Sequence, residues 1–379
     1  MRVLHIHERA GFYGGVEQIL HDMAAALTAR GWPQALFHAD SAPRPDYLSV
    51  FADSSSSESL IARFRPDVLL IHKLEDASRV AALSQQRPTA CMIHDHDLVC
   101  LRRHKYFPID TQICDLPAGV ACYRHLCFIQ RAAASSVFPL ALRSVGERKR
   151  AIRAHADVRL FIVGSRWMQR ELVMNGIPEA RVHVLPPVPN SLADFRPQTP
   201  SDRREVLFAG QVIRGKGVDL LLRALTQVQG DWHATVVGTG NHLEACKALA
   251  VELDIAHRVT FTGWIPHAEL DAYYARAAVS VVPSRWPEPF GMVGIEAMAR
   301  GRPVVGFAAG GIPDWLEHNV TGLIAPEADT QALGANIDRL LRDPVLAQQL
   351  GAQAAQRVQE RYQPGMFLDG MTQLLERIA

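Results

Sequence analysis

Short runs of consecutive apolar residues, each about the length of a strand, recur along the chain, separated by longer stretches whose apolar residues fall at helical spacing. Such runs cover residues 3–7, about 35–38, 68–72, 89–94 and 158–163, and the first is followed by a helix expected over about 16–30. Strand and helix in alternation are the pattern of a parallel doubly wound sheet, so the first half is expected to be an α/β, Rossmann-like domain. A strand within RVHVLPPVPN then enters chain with prolines at 186, 187, 189, 197 and 200, where a stiff, non-helical linker is expected over about 186–204. Beyond it the pattern restarts. EVLFAGQVIRGKGVDLLLRAL reads as strand, basic glycine-bearing loop and amphipathic helix, and further strands are expected in HATVVGTG and at 259–265, 277–284 and 303–308. A helix follows over 329–342 and another near the end of the chain. The expected division is therefore 1–187, 188–362 and a C-terminal helix at 363–379. SSSSES at 54–59 reads as a surface loop.

Length agrees with two domains, since 379 residues is long for one core and suits two of roughly 150 to 200 residues. With 48% apolar and 21% charged residues the composition is that of a soluble globular protein, and 40 basic against 39 acidic residues argues against general nucleic-acid binding. The amino terminus runs straight into a strand without the pattern of a signal peptide, and no uncharged apolar run reaches the ~18 residues of a membrane span. A cytoplasmic protein is expected. The segment 131–155 is basic, with Arg143, Arg148, Lys149, Arg150 and Arg153 close together beside Phe138 and Leu140. It reads either as a peripheral contact with acidic lipid headgroups or as a solvated helix face.

The chemistry concentrates in SRWPEPFGMVGIEAMARGRPVVGF, residues 284–307, which reads as loop, helix and strand. Glu288 falls in the loop at a strand's carboxyl end and Glu296 about one turn inside the helix, a place where open α/β sheets bind ligands. The N–H groups of Phe290, Gly291 and Met292 at the helix start favour an anion. Two carboxylates would repel that same anion. A ligand carrying both phosphates and hydroxyls reconciles the two, and a nucleotide-sugar has that layout. The alternative is that Glu288 caps a helix and Glu296 is a solvated helix residue. In the basic loop Arg214 and Lys216 suit a diphosphate, arginine through a bidentate fork and lysine as a point charge. Gly238, with Gly240, permits close approach of a ligand after the next strand. Near the amino terminus GFYGGVE has Gly14 and Gly15 in a turn that is not the GxGxxG of a dinucleotide site. Four of six cysteines, Cys100, Cys114, Cys122 and Cys127, cluster near His96, His104 and His125. They fit either a structural zinc site or reduced, unliganded thiols, and they contain no CxxC pair.

EPFGMVGIEAMARGRPVVG, with two glutamates separated by seven residues and followed by GGIPDWLEHNVTGLIAP, resembles the signature of retaining GT-B glycosyltransferases of the large family four. That resemblance extends over most of the chain and is weakest over 102–150. It implies a GT-B fold, two Rossmann-like doubly wound domains facing across a cleft, the first holding a hydroxyl acceptor (a glycan or lipid-linked sugar) and the second a UDP- or GDP-linked sugar. The C-terminal helix would cross back to the first domain. In this family Gly14 and Gly15 lie against the donor phosphates, with Glu17 more structural, and His94 contacts the transferring sugar while Asp95 orients its ring. Lys216 matches the family's lysine, but the family's arginine position is Gln211 here; Arg214, from the next turn, is the candidate substitute for the second cation. Glu288 would hold sugar hydroxyls and Glu296 the ribose diol, and Trp264 would stack on the base or fill core. No metal or other cofactor is implied for catalysis. A sugar-nucleotide epimerase of the same fold and a non-catalytic nucleotide-binding scaffold are the competing functions.

Overall fold

The computed structural model of the chain describes residues 1–109, 111–131, 140–266 and 269–379. They divide into two compact units, one of Met1–Arg103, Asp115–Asn190 and Pro364–Ala379, the other of His104–Cys114 and Ser191–Gln363. The first unit contains β1 (Val3–Ile6), β2 (Gln34–Phe37), β3 (Asp53–Ser55), β4 (Val68–Ile71), β5 (Thr89–Ile93), β6 (Ile129–Arg131), β7 (Leu140–Leu142), β8 (Leu160–Val163) and β9 (Val182–Val184). Seven of these form one sheet in the order β3-β2-β1-β4-β5-β8-β9, parallel throughout, while β6 and β7 make a separate antiparallel pair. Every residue of β1, β2, β4 and β8 is buried. Helices cover both faces of such a sheet, which is why its strands read as nearly continuous apolar runs, with His5 in β1 and Gln34 in β2 as exceptions. Leu4, Ile6, Phe37, Leu69, Ile71, Phe161 and Val163 form the centre of that core.

Residues 53–55, expected to lie in or beside a surface loop, form the edge strand β3 instead, paired with β2 in the register Ala35↔Asp53. Three polar residues carry no strand periodicity, and it is the neighbouring strand that orders them. Arg63 then clasps Asp53 through Nε at 2.6 Å and Nη2 at 2.9 Å. The carboxy-terminal helix Pro364–Glu376 belongs to this unit and buries Phe367, Met371 and Leu375. Arg30 donates to Asp369 at 2.6 Å and to Thr372 at 3.2 Å, and Arg159 donates to the Ile378 carbonyl at 2.7 Å.

The second unit holds β10 (Glu205–Ala209), β11 (His233–Val237), β12 (Val259–Gly263), β13 (Val279–Val282), β14 (Val304–Phe307) and β15 (Gly322–Ala325) in one parallel sheet of order β12-β11-β10-β13-β14-β15. Helix Val218–Leu225 buries Val218, Leu221, Leu222, Ala224 and Leu225 and packs against helix Thr330–Arg342. Asp329 caps the latter by accepting from the Ala332 N–H at 2.9 Å. A further helix, Pro344–Arg361, is capped in the same way by Asp343 and was not separated in the sequence pattern. Two parallel, doubly wound units are the GT-B architecture that the motifs imply. Among the described residues no helix is long and apolar enough to cross a membrane.

Candidate functional site

The carboxyl ends of β10 and β13 carry the two loops that the motifs single out. After β10 a short 3₁₀ turn, Arg214–Lys216, leads through Gly217 into helix Val218–Leu225. Gly217 has φ +70°, and a Cβ there would lie 1.8 Å from the Pro283 carbonyl oxygen, so only glycine brings this turn against the end of β13. Arg285 locks the arrangement. Its guanidinium donates to the Arg214 carbonyl at 2.8 Å and to both oxygens of Asp219, at 3.1 and 2.8 Å.

That packing places Lys216 over Glu288. The ammonium donates to both carboxylate oxygens, at 2.7 and 2.9 Å, and Ser284 Oγ donates to Glu288 as well. The two partners differ in exposure, with 3% of the Glu288 side chain accessible against 21% of Lys216. Burial works to raise the Glu288 carboxyl, but the Lys216 ammonium and the bond from Ser284 prevail and hold it below the ordinary glutamate range. The accessible end of the pair is therefore a cation. Lys216 also stands 5.7 Å from the centre of the Trp286 ring. Arg214 is exposed, with no carboxylate partner among the described residues, and Gln211 is exposed as well.

Just beyond Glu288 the helix Met292–Ala299 starts from Gly291. The N–H groups of Phe290, Gly291 and Met292 have no hydrogen-bond partner among the described residues, which leaves three donors at a helix start. Trp315 supports this corner by donating from Nε1 to the Phe290 carbonyl at 2.7 Å. The Glu288 backbone is tied on its other side, where its carbonyl accepts from Gly311 N–H at 2.7 Å. Glu296 lies one turn into the helix, and its carbonyl accepts from Arg300. Cation, buried carboxylate and open amides are thus brought together at one edge of the second sheet.

Other expected residues fall into less direct positions. Gly238 serves the protein's own packing, since a Cβ there would lie 1.9 Å from the Gly210 carbonyl oxygen. Trp264 does not fill core, as 72% of it is exposed. Gly14 precedes and Gly15 begins helix Gly15–Ala29, and Glu17 in its first turn is buried against His7, 3.3 Å away. No zinc site forms from Cys100, Cys114, Cys122 and Cys127, because among the described residues no three His, Cys, Asp or Glu side chains converge on a point where an ion could sit. Cys122 begins the turn that closes at Cys127, whose N–H donates to its carbonyl at 2.8 Å, while Cys114 belongs to the other unit, where its N–H donates to the Lys105 carbonyl.

In the first unit His94 follows β5, and Asp95 does not orient its ring. Asp95 takes Lys73 at 3.1 Å, and His94 Nε2 meets His72 Nδ1 at 3.0 Å. A cavity of about 620 Å³ opens beside it, lined by His72, His94, Asp95, Leu101, Arg148 and Arg150 among others. The expected basic segment is only partly described: Phe138 lies outside the described residues, as does the rest of 132–139. Of its remainder, Arg143, Lys149, Arg150 and Arg153 are exposed, whereas Arg148 is half-buried and donates to the Asp97 carbonyl. Leu140 and Leu142 are 60% and 75% exposed.

Sequence reasoning missed Arg285, Asp219 and Trp315 because each acts on a partner well removed in the chain, and it missed Ser284 although its partner Glu288 is four residues away. Ser284 and Arg285 open the stretch 284–307, and an arginine there was the available signal.

Residues 191–357 match the glycosyl transferases group 1 family, and residues 13–188 match glycosyltransferase family 4. The chain is 27% identical, over its whole length and 98% of the relative's, to the lipopolysaccharide core biosynthesis glycosyltransferase LpsD of Rhizobium meliloti. It is 32% identical to a GDP-mannose-dependent alpha-(1-6)-phosphatidylinositol monomannoside mannosyltransferase of Mycolicibacterium smegmatis, over 53% of this chain and 57% of that one. The chain thus spans about half the length of that relative. In fold it is similar to Anabaena HepE in complex with UDP and glucose, with a TM-score of 0.75 and 19% identity over 100% of both chains.

Proposed function

Because the chain belongs to the GT-B glycosyltransferases, its second half to group 1 and its first to family four, we propose that it moves a hexose from a nucleoside-diphosphate sugar to a hydroxyl acceptor with retention of anomeric configuration. The observation that carries this reading is the Lys216–Glu288 pair beside the open amides of Phe290, Gly291 and Met292. A departing diphosphate develops negative charge on its leaving oxygen, and preorganised donors aimed at that charge lower the barrier without having to reorganise. Lys216 supplies a fixed cation and the helix start supplies neutral donors. Arg214 is the second cation, in place of the arginine that Gln211 replaces. Glu288 holds Lys216 in position and, with the sugar bound, shares its oxygens with sugar hydroxyls. Glu296 takes the ribose diol. For the first unit we read the acceptor as a hydroxyl compound, a glycan or lipid-linked sugar, held in the cavity beside His94. Lysine and arginine offset the diphosphate charge, so a divalent ion has no necessary part in this scheme.

A thermal-shift panel of UDP, GDP, ADP and their sugars without added metal tests the donor site. One nucleotide series is expected to raise Tm, since a ligand held only by the folded chain stabilises it by about 2.7 kcal/mol at one hundred times Kd. Glu296→Ala is expected to abolish the shift. No shift for any nucleotide at millimolar concentration would remove the donor site from the second unit.

We further read the exposed face of Leu140, Leu142, Arg143, Lys149, Arg150 and Arg153 as a peripheral contact with anionic lipid, apolar residues entering the headgroup layer and cations meeting its charge. Co-sedimentation with anionic vesicles is expected at low salt and is expected to fall when Leu142 and Arg143 are replaced by Ser. Equal binding to neutral vesicles, or none to anionic ones, would end this reading.

A further inference from the structure

Four polar side chains on adjacent strands of the first sheet form a single hydrogen-bonded file. Gln34 begins β2, His5 lies in β1, and His72 and His94 directly follow β4 and β5, so the file crosses the sheet in the spatial order β2-β1-β4-β5. Gln34 and His5 are wholly buried and His72 is 6% exposed. Gln34 bonds His5 Nε2 through Oε1 at 2.7 Å, His5 Nδ1 meets His72 Nε2 at 3.1 Å, and His72 Nδ1 meets His94 Nε2 at 3.0 Å. The imidazoles stack, with centres 5.4 and 5.3 Å apart.

The direction of this file follows from its buried end. The Gln34 amide nitrogen donates to the Trp32 carbonyl at 2.8 Å, and a carbonyl can only accept, so Oε1 is the atom that faces His5. His5 must then carry its proton on Nε2. Its Nδ1 is a bare lone pair, which obliges His72 to donate from Nε2, and the same reasoning passes to His94. A second proton on His5 or His72 would set two N–H groups against each other. Burial opposes that charge too, holding His5 and His94 at about 4 and pushing His72 well below the ordinary histidine range.

We infer that Gln34, His5 and His72 are positioning residues that fix His94 as its Nε2–H tautomer, leaving His94 Nδ1 as an obligate hydrogen-bond acceptor. Among the described residues Nδ1 of His94 has no hydrogen-bond partner, and the ring lines the cavity of the first unit. The group that meets it in a complex is therefore a donor, a hydroxyl, and not a phosphate or carbonyl oxygen. This last step rests on the proposed role of His94 in sugar binding, whereas the tautomer does not. A site built to accept from a hydroxyl discriminates strongly against an analogue lacking it, because its own lone pair is left unsatisfied.

The test is long-range ¹H–¹⁵N correlation NMR of ligand-free protein labelled at histidine nitrogen, with the His94 signals identified by their loss in His94→Gln. At neutral pH His94 is expected wholly as the neutral Nε2–H form. Gln34→Met removes the acceptor that sets the direction, and in that variant, folded by circular dichroism, a substantial Nδ1–H population is expected at His94. A His94 that is Nδ1-protonated or doubly protonated in the wild type overturns the assignment. A purely Nε2–H His94 in folded Gln34→Met overturns the role given to Gln34. If that variant does not fold, the wild-type spectrum decides. None of these readings requires donor, acceptor or turnover, so their failure is distinct from failure of the proposed activity.

Discussion

Lys216→Met is expected to lower turnover by about 100- to 1000-fold, the usual consequence of removing one preorganised charge from a developing anion. The loss should appear in kcat as well as in kcat/KM, because the charge on the leaving oxygen grows only as the bond breaks. The same substitution is expected to destabilise the protein. It strands the Glu288 carboxylate, of which 3% is accessible, without its counter-ion. Removing one member of a buried pair costs about 3 kcal/mol, at the lower end of the range because Lys216 is partly exposed, and a loss of that size moves Tm by several degrees. The pH dependence carries a sign. In the wild type the Glu288 carboxyl lies below its unfolded value, so the pair contributes stability above the ordinary carboxyl range and loses it as pH falls. In Lys216→Met the bond from Ser284 remains but the larger effect of burial is no longer opposed by the ammonium, the carboxyl rises, and the folded state takes up a proton more readily than the unfolded one. The gap in Tm between the two proteins should therefore narrow as pH is lowered toward the carboxyl range. A gap that widens on acidification, or turnover within threefold of wild type, would refute this account of the pair.

Glu288→Gln is expected to lower turnover by about 100-fold or more while leaving the nucleotide-induced thermal shift nearly unchanged. Glutamine has the same shape and can still accept from Lys216 through one oxygen, so the loop keeps its place. What disappears is the negative charge that fixes the ammonium by two bonds, at 2.7 and 2.9 Å, and that offsets positive charge on the sugar carbon at the transition state. Diphosphate recognition by the N–H groups of Phe290, Gly291 and Met292 does not pass through that carboxylate. Turnover equal to wild type would show the role given to Glu288 to be wrong. A lost thermal shift with unchanged kcat at saturation would make Glu288 a donor-binding group only.

Much of the architecture is legible in the residues before any coordinates. β1, β2, β4 and β8 are buried throughout, and a strand covered on both faces is apolar at nearly every position, His5 and Gln34 being the buried polar exceptions. Edge strand β3 is the counter-example: Asp-Ser-Ser has no apolar pattern and is ordered by pairing with β2. Loop positions of Glu288 and Lys216 can be read from their neighbours, since each follows a strand run and precedes a helix. Their mutual bond cannot, because they are 72 residues apart and meet through the packing of Gly217 on Pro283 and the bonds of Arg285 to Arg214 and Asp219.

The cysteines illustrate the limit from the other side. Cys100, Cys114, Cys122 and Cys127 are close in sequence, yet Cys114 belongs to the second unit and the other three to the first. Proximity along the chain is a weak guide once the chain has passed between units. Likewise His94 and Asp95 are adjacent, but successive residues at a strand end point different ways, so Asp95 meets Lys73 while His94 meets His72.

By itself the sequence determined the succession of strands and helices, the division into two α/β halves and the residue types on the loops, because apolar periodicity, glycine and proline act locally. Tertiary structure alone decided which of those residues are partners. Glu288 becomes the buried holder of Lys216 rather than a helix cap, and His94 becomes the open end of a file that starts at Gln34. Both depend on distances between strands distant in the chain, where side chains meet by packing and one hydrogen bond fixes the polarity of the next.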